Sequence, residues 1–166
     1  MARTANRPLA AGRLTVRGVG IFAAATAIAG HAVLWIGVNP QAAGWGFATW
    51  LIYGWIYTPL KRKTAFNTVV GAVSGATPIL IGWTATGEPV STRAFALFFL
   101  LFLWQFPHFM AIAWLYRDEY AAAGIRMLTV VEPTGARAGL HAVVAALALL
   151  PVSFIPAVYV SPPGAS

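Results

Sequence analysis

Residues 104–128 read WQFPHFMAIAWLYRDEYAAAGIRML. The stretch begins as membrane-grade apolar sequence, carries Pro107 and His108 inside that run, and ends in Arg117-Asp118-Glu119-Tyr120. The whole chain has four carboxylate side chains (Glu88, Asp118, Glu119 and Glu132), and two of them stand side by side here. An acidic pair at the end of an apolar helix is either a solvated boundary or a site. The rest of the chain bears on which.

Hydrophobic residues make up 59% of the 166 positions and charged residues 9%, with a mean hydropathy of +0.73. A soluble domain of this size neither needs that much apolar residue nor stays dissolved with so little charge. The expectation is an all-α, polytopic membrane protein. A net charge of +7 could suggest nucleic acid, but the bases fall in short clusters between apolar runs, which fits membrane topology instead. With no cysteine, the chain has no thiolate nucleophile and no cysteine metal site.

The chain divides into five expected spans. Residues 1–18 are basic, with Arg3, Arg7, Arg13 and Arg17 and no acid. The run 19–38 that follows is long enough to cross a bilayer and longer than the apolar core of a signal peptide, so it reads as a transmembrane helix. Asn39-Pro40 breaks it. A second span, 45–60, is rich in aromatics and closes on Lys61-Arg62-Lys63. The third, 66–86, carries Gly71, Ser74, Gly75 and Gly82, small residues that let helix backbones approach in lipid, so it should lie inside a bundle. Pro78 should kink it. The fourth span covers 94–116, a long polar connection 117–137 follows, and the fifth covers 139–160.

Alternating sides places the N-terminus, the 61–63 cluster and the 117–137 connection together, with ten of the eleven Lys/Arg; Arg93 alone falls opposite. The positive-inside rule makes that face cytoplasmic, in an inner (cytoplasmic) membrane. Three of the four acids (Asp118, Glu119, Glu132) share it with Arg3, Arg7, Lys61 and Arg62. Such a mixture suits an enzyme handling a diphosphate: carboxylates hold Mg²⁺, and the metal with Lys/Arg neutralises the departing phosphate oxygens. On one continuous helix His108, Ala111, Ile112, Leu115 and Glu119 would share a stripe. His108 would then lie about 16 Å deeper than Glu119, while Asp118 points about 100° away.

Residue types alone leave plainer readings open. Asp118 and Glu119 could be a solvated helix end paired with Arg117. The 61–63 bases are a topology signal in any case, and His108 could be a polar residue satisfied between helices. His31 reads as packing. A transporter or channel subunit would place acids at the bilayer midplane, and this chain has none there. A purely structural membrane subunit without catalysis is a further alternative.

Three segments resemble the UbiA-type intramembrane prenyltransferases, and within them the branch that farnesylates heme. MARTANRPLAAGRL (1–14) is similar to an RT-x-x-RPL-x-x-GR stretch. YTPLKRKTAFNTVVGAVSGATPILIGW (57–83) resembles the heme-specific YTPLKR-x-T-x-x-NT-x-x-GA segment. The 104–128 stretch resembles a WQ-x-PHF…DY-x-x-AG-x-x-ML block that holds the second acidic motif. The resemblance implies that farnesyl diphosphate ionises against Mg²⁺ and basic residues, and that a vinyl group of heme B captures the allylic cation. It assigns catalytic and Mg²⁺-binding roles to Glu119 and Asp118, and diphosphate contacts to Arg3, Arg7, Lys61 and Arg62, with Lys61 also catalytic. Heme-side contacts fall to His108 and Tyr57. An aromatic acceptor, as in quinone or chlorophyll pathways, is the alternative within the same superfamily, and TPLKR with PHF argues against it.

Departures from the pattern are Glu119 in place of Asp in the DY pair, Ser74, Arg126 and Thr129. The family's first Asp-rich motif would belong just ahead of Met1. The family bundle has about nine helices, each satisfying its own backbone in lipid, against five spans here. The expectation is an incomplete chain, inactive alone.

Overall fold

The structure is a computed structural model that describes residues 4–158. The described residues are helical throughout their regular structure: α1 Val16–Gly37, α2 Pro40–Leu51, a π-helical segment Ile52–Tyr57, α3 Thr58–Leu60, α4 Asn67–Ala85, α5 Thr92–Leu115, α6 Arg117–Ala122, α7 Leu128–Val131 and α8 Ala136–Val158. Four helices are long and apolar enough to cross a membrane: α1, α4, α5 and α8.

The second expected span differs. It starts at Pro40, not residue 45, and runs as one helical rod to Leu60 in three segments. Asn39-Pro40 therefore ends one helix and starts the next. The Asn39 side chain accepts from the Ala42 N–H, Pro40 takes the first helical position, and Asn39 Nδ2 donates to the Thr84 carbonyl at 2.7 Å. That last bond pins the start of α2 to the end of α4. Further along, both the N–H and the hydroxyl of Thr58 donate to the Tyr53 carbonyl, five residues back. This is the wider spacing of a π turn.

The expectation for 66–86 holds: α4 is the inner helix. Asn67, Thr68, Gly71, Ala72, Ser74, Ala76, Thr77, Leu80 and Thr84 are all buried, and α4 packs against α2 and α5. A Cβ on Gly71 would stand 2.7 Å from Cε2 of Tyr57, so the missing side chain is what admits that ring. Gly75 likewise admits Gln105, whose amide donates to the Ala72 carbonyl at 3.0 Å and the Leu101 carbonyl at 3.2 Å. Ser74, Thr77 and Thr84 donate to carbonyls on their own helix, as hydroxyls in an apolar environment must. The helix stays continuous through Pro78. By contrast no residue of α1 is buried; its apolar sides face outward, as a lipid-facing helix requires.

One expectation needs correction. The fourth helix stops at Leu115: Tyr116 leaves helical geometry (φ −111°, ψ 23°) and α6 begins anew at Arg117. The stripe from His108 to Glu119 presupposed one unbroken helix, so it ends at Leu115. The long polar connection 117–137 carries α6 and α7. Gly124 (φ 65°) closes α6 with the Ile125 N–H donating back to the Tyr120 carbonyl at 2.9 Å. Thr129 on α7 donates to the Ala113 carbonyl at 2.8 Å, fastening the connection to α5. Glu132 accepts from the N–H groups of Thr134 and Arg137, each at 3.1 Å, and from the Thr134 hydroxyl, capping the entry to α8. Those bonds hold its carboxyl below the ordinary Glu value, the Thr134 hydroxyl foremost. α8 then packs along α5, and its expected end at residue 160 lies outside the described residues.

Candidate functional site

A cavity of about 370 Å³ opens between the π-helical segment, α4, α5 and α6. Thr4, Arg7, Tyr57, Lys61, Asn67, Thr68, Phe109, Ile112, Tyr120, Ile125 and Met127 line it. Its rim is basic and hydroxylated, and its wall is apolar. Three of the expected site residues, Arg7, Tyr57 and Lys61, converge there although they come from the N-terminal stretch and the second helical rod.

The positions follow from local structure. Tyr57 and Lys61 are four residues apart, one helical turn, and so share a face. The Lys61 ammonium sits 4.1 Å from the Tyr57 ring centroid and 5.5 Å from that of Tyr53. The two tyrosine rings lie 5.2 Å apart. Such cation–π contacts partly replace lost hydration, yet burial still holds the Lys61 ammonium below the ordinary lysine value.

The opposite wall is tied to this one through Arg126. Its backbone N–H donates to the Lys61 carbonyl at 2.8 Å, and its carbonyl accepts from Asn67 Nδ2 at 3.1 Å. Asn67 Nδ2 also donates to the Thr64 carbonyl at 2.7 Å. Both amide hydrogens of Asn67 are thereby spent, while its Oδ1 is buried with no partner. Thr68 Oγ1 is buried without a partner too. An unsatisfied buried polar atom costs about 1–3 kcal/mol, so two together at one cavity are notable.

The acidic pair splits. Asp118 has a 94% exposed side chain and lies 3.8 Å from Arg117 Nε, an exposed pairing worth little. Arg117 itself lies over the Trp114 ring at 4.7 Å. Glu119 is half-buried, and its Oε2 is enclosed with no hydrogen-bond partner. Among the described residues no three His, Cys, Asp or Glu cluster as a metal site. A divalent cation held by one or two carboxylates, with substrate phosphates and water for the rest, needs no such cluster. The orphaned Glu119 oxygen fits that role.

Other expected residues lie apart from the cavity. Arg62 is exposed and does not line it. His108 is exposed and stacked on Trp104 (4.8 Å, 16°), while its neighbours on α5, Phe109 and Ile112, form the cavity wall. Arg3 lies outside the described residues. The sequence reading passed over Thr4, Asn67, Thr68, Tyr120, Ile125 and Met127. For Asn67-Thr68 a signal existed: an Asn-Thr pair opening an apolar helix right after the Lys-Arg-Lys cluster.

The model of the UbiA prenyltransferase family matches residues 1–165. The protoheme IX farnesyltransferase of Solibacter usitatus is 47% identical over 157 residues, covering 95% of this chain and 54% of that protein. Its counterpart in Rhodopirellula baltica is 49% identical over 150 residues, covering 90% and 52%. The mitochondrial protoheme IX farnesyltransferase of Homo sapiens is 43% identical over 133 residues, covering 80% and 30%. The chain thus spans about half the length of the two bacterial relatives. No solved structure matches. A multi-pass helical membrane fold and a family match across nearly every residue lead to one assignment: the chain belongs to the UbiA prenyltransferase family.

Proposed function

We propose that the chain carries the diphosphate-binding part of an intramembrane farnesyltransferase that alkylates a vinyl group of heme B to give heme O. The observation that carries this reading is the joining of Arg7, Lys61 and Tyr57 on the rim of a cavity walled by Phe109, Ile112, Ile125 and Met127. A charged head and a long apolar body need that combination. The names of the relatives supply the acceptor, heme, and the donor, a farnesyl group.

In this reading the Lys61 ammonium and the Arg7 guanidinium take up the negative charge that grows on the diphosphate as the C1–O bond of the farnesyl chain breaks. Tyr57 holds the Lys61 head in place through its ring face. The apolar wall receives the first isoprene unit and keeps water from the allylic cation. The electron pair of the broken bond leaves with diphosphate. The vinyl carbon then attacks the cation, and water adds to the new centre beside the porphyrin with loss of a proton. A divalent cation, which the enclosed Glu119 oxygen would help to hold, would supply Lewis-acid neutralisation of the leaving group. The basic face that carries this site lies toward the cytoplasm, in the inner membrane.

The test is direct. Membranes containing the protein expressed from its intact gene are incubated with farnesyl diphosphate, heme B and Mg²⁺, and the hemes are extracted and separated by chromatography. Formation of heme O, lost in Lys61→Ala, is the expected result. Heme bound but unaltered would favour a carrier, and a prenylated aromatic with heme untouched would favour the quinone-type acceptor; either would overturn the proposal.

A further inference from the structure

The Lys61 ammonium meets two aromatic rings, not one. Its Nζ lies 4.1 Å from the Tyr57 ring centroid and 5.5 Å from that of Tyr53, both within the reach of a cation–π contact. The two rings are 5.2 Å apart and tilted by 49°, so they stand as adjoining walls beside the ammonium. Tyr57 lines the cavity and packs on Gly71, whereas Tyr53 is 54% exposed and does not line it. The π-helical segment is what brings Tyr53 to this place. On a continuous α-helix residues 53 and 61 would stand about 80° apart around the axis, because eight residues overrun two turns by that angle. From Tyr53 to Tyr57 the chain is π-helical instead. A π turn takes more residues to come round, so these four fall about 30° short of a turn rather than about 40° past it. From Tyr57 onward the spacing returns to α, with the Lys61 N–H donating to the Tyr57 carbonyl at 3.1 Å. The two offsets nearly cancel, and Tyr53 comes into line with Lys61. The paired donation from the N–H and hydroxyl of Thr58 to the Tyr53 carbonyl holds the wide turn.

From this geometry we infer that Tyr53 is a positioning residue: with Tyr57 it forms a two-ring cage that holds the Lys61 ammonium in place for an incoming diphosphate. Neutral rings do this differently from a carboxylate. A carboxylate would neutralise the ammonium and compete with the diphosphate for it, and among the described residues none pairs with Lys61. Ring faces attract the cation and leave its N–H donors to the anion. A lysine head on a flexible four-carbon stem also loses freedom when it binds, and a head fixed beforehand loses less. Tyr53 thus acts on the substrate only through Lys61. The inference rests on the reading of the cavity as a diphosphate site.

Calorimetric titration of the detergent-purified protein, expressed from its intact gene, with an unreactive thiolo analogue of farnesyl diphosphate in Mg²⁺ buffer tests both. Wild type should bind the analogue, and Lys61→Ala should bind it about tenfold or more weakly. Tyr53→Leu should weaken binding about fivefold, while Tyr53→Phe, which keeps the ring face and lacks only the hydroxyl, should bind as wild type does. In a Lys61→Ala background Tyr53→Leu should have no further effect, a result that a merely structural role for the ring would not give. Wild-type affinity in Tyr53→Leu, an equal loss in Tyr53→Phe, or an undiminished effect of Tyr53→Leu without Lys61 overturns the inference and leaves the diphosphate site standing. A wild type that does not bind the analogue, or a Lys61→Ala protein that binds it as tightly as wild type, overturns both.

Discussion

The backbone N–H of Arg126 donates to the carbonyl of Lys61 across 2.8 Å. Lys61 ends the second helical rod, and Arg126 lies in the segment that follows the acidic motif. One bond therefore joins the end of the basic rod to the segment that follows the acidic pair, and Asn67 closes the same joint from α4.

The lowered pKa of Lys61 sets a pH dependence with two opposite signs. Burial disfavours the ammonium, so the fold prefers the neutral amine. Stability on that account rises as pH climbs through the lowered value and levels off above 10.5, the ordinary lysine value. Anion binding needs the ammonium and weakens over the same climb. The affinity for farnesyl diphosphate should therefore fall at alkaline pH in wild type, and Lys61→Arg, charged throughout, should flatten that limb. A Lys61→Arg enzyme with the wild-type alkaline decline would remove Lys61 as its cause.

The two acids should separate in their effects. Glu119→Gln removes charge from an enclosed oxygen and should lower the rate by about 10²-fold, the scale for loss of one group stabilising a transition state. Asp118→Asn changes an exposed side chain and should cost far less. Heme O yield from membranes of each variant measures the ratio, and equal losses would contradict the burial difference.

Gly71→Ala should act on the site from outside it. The added methyl would sit 2.7 Å from Cε2 of Tyr57 and push the ring away from the cavity. Overpacking of this kind costs about 1–3 kcal/mol. The expected result is a lower unfolding midpoint in detergent and a raised KM for farnesyl diphosphate. Gly82→Ala, on the same helix with open space at its Cβ, is the control that should change neither.

Gln105→Leu tests the seam between α4 and α5. It removes the buried amide that donates to the Ala72 and Leu101 carbonyls. Polar interactions between membrane helices contribute about 0.6 kcal/mol on average and up to about 1.7 kcal/mol. A loss within that range in reversible unfolding is expected, and a gain in stability would mean that the leucine packs better than the amide bonds.

Much of the fold was legible before any coordinates. Apolar runs of bilayer length between basic clusters mark α1, α4, α5 and α8 within a few residues, because hydropathy is a sum over neighbours in sequence. The small residues of α4 announced an inner helix for a similar reason: Gly71 and Gly75 are the places where Tyr57 and Gln105 enter. The second rod is longer than its aromatic run, because Asn39-Pro40, a helix breaker in sequence, also serves as cap and first turn of the next helix.

The site was legible only in part. Lys61 and Tyr57 fall four positions apart on one helical face, so their partnership is a local fact that the sequence contains. The stripe from His108 to Glu119 failed because it extrapolated one helix across Tyr116, where the backbone turns out of helical geometry. The role of Asn67 was hidden for a different reason. Its clasp reaches Arg126, fifty-nine positions away, and no periodicity reports a contact at that separation.

Composition and charge order by themselves determined that this chain is a helical membrane protein, because both depend on residues close together in the chain. Charge order also leads to the expectation that ten of the eleven bases and three of the four acids share one face. Tertiary structure alone decided which of those groups meet. It set Arg7 and Lys61 in the lining of one cavity, enclosed one oxygen of Glu119 while leaving Asp118 outside, and buried Oδ1 of Asn67 and Oγ1 of Thr68 without partners. Burial and pairing depend on which helices pack together, so they emerge only once the π-helical segment, α4, α5 and α6 enclose a common space.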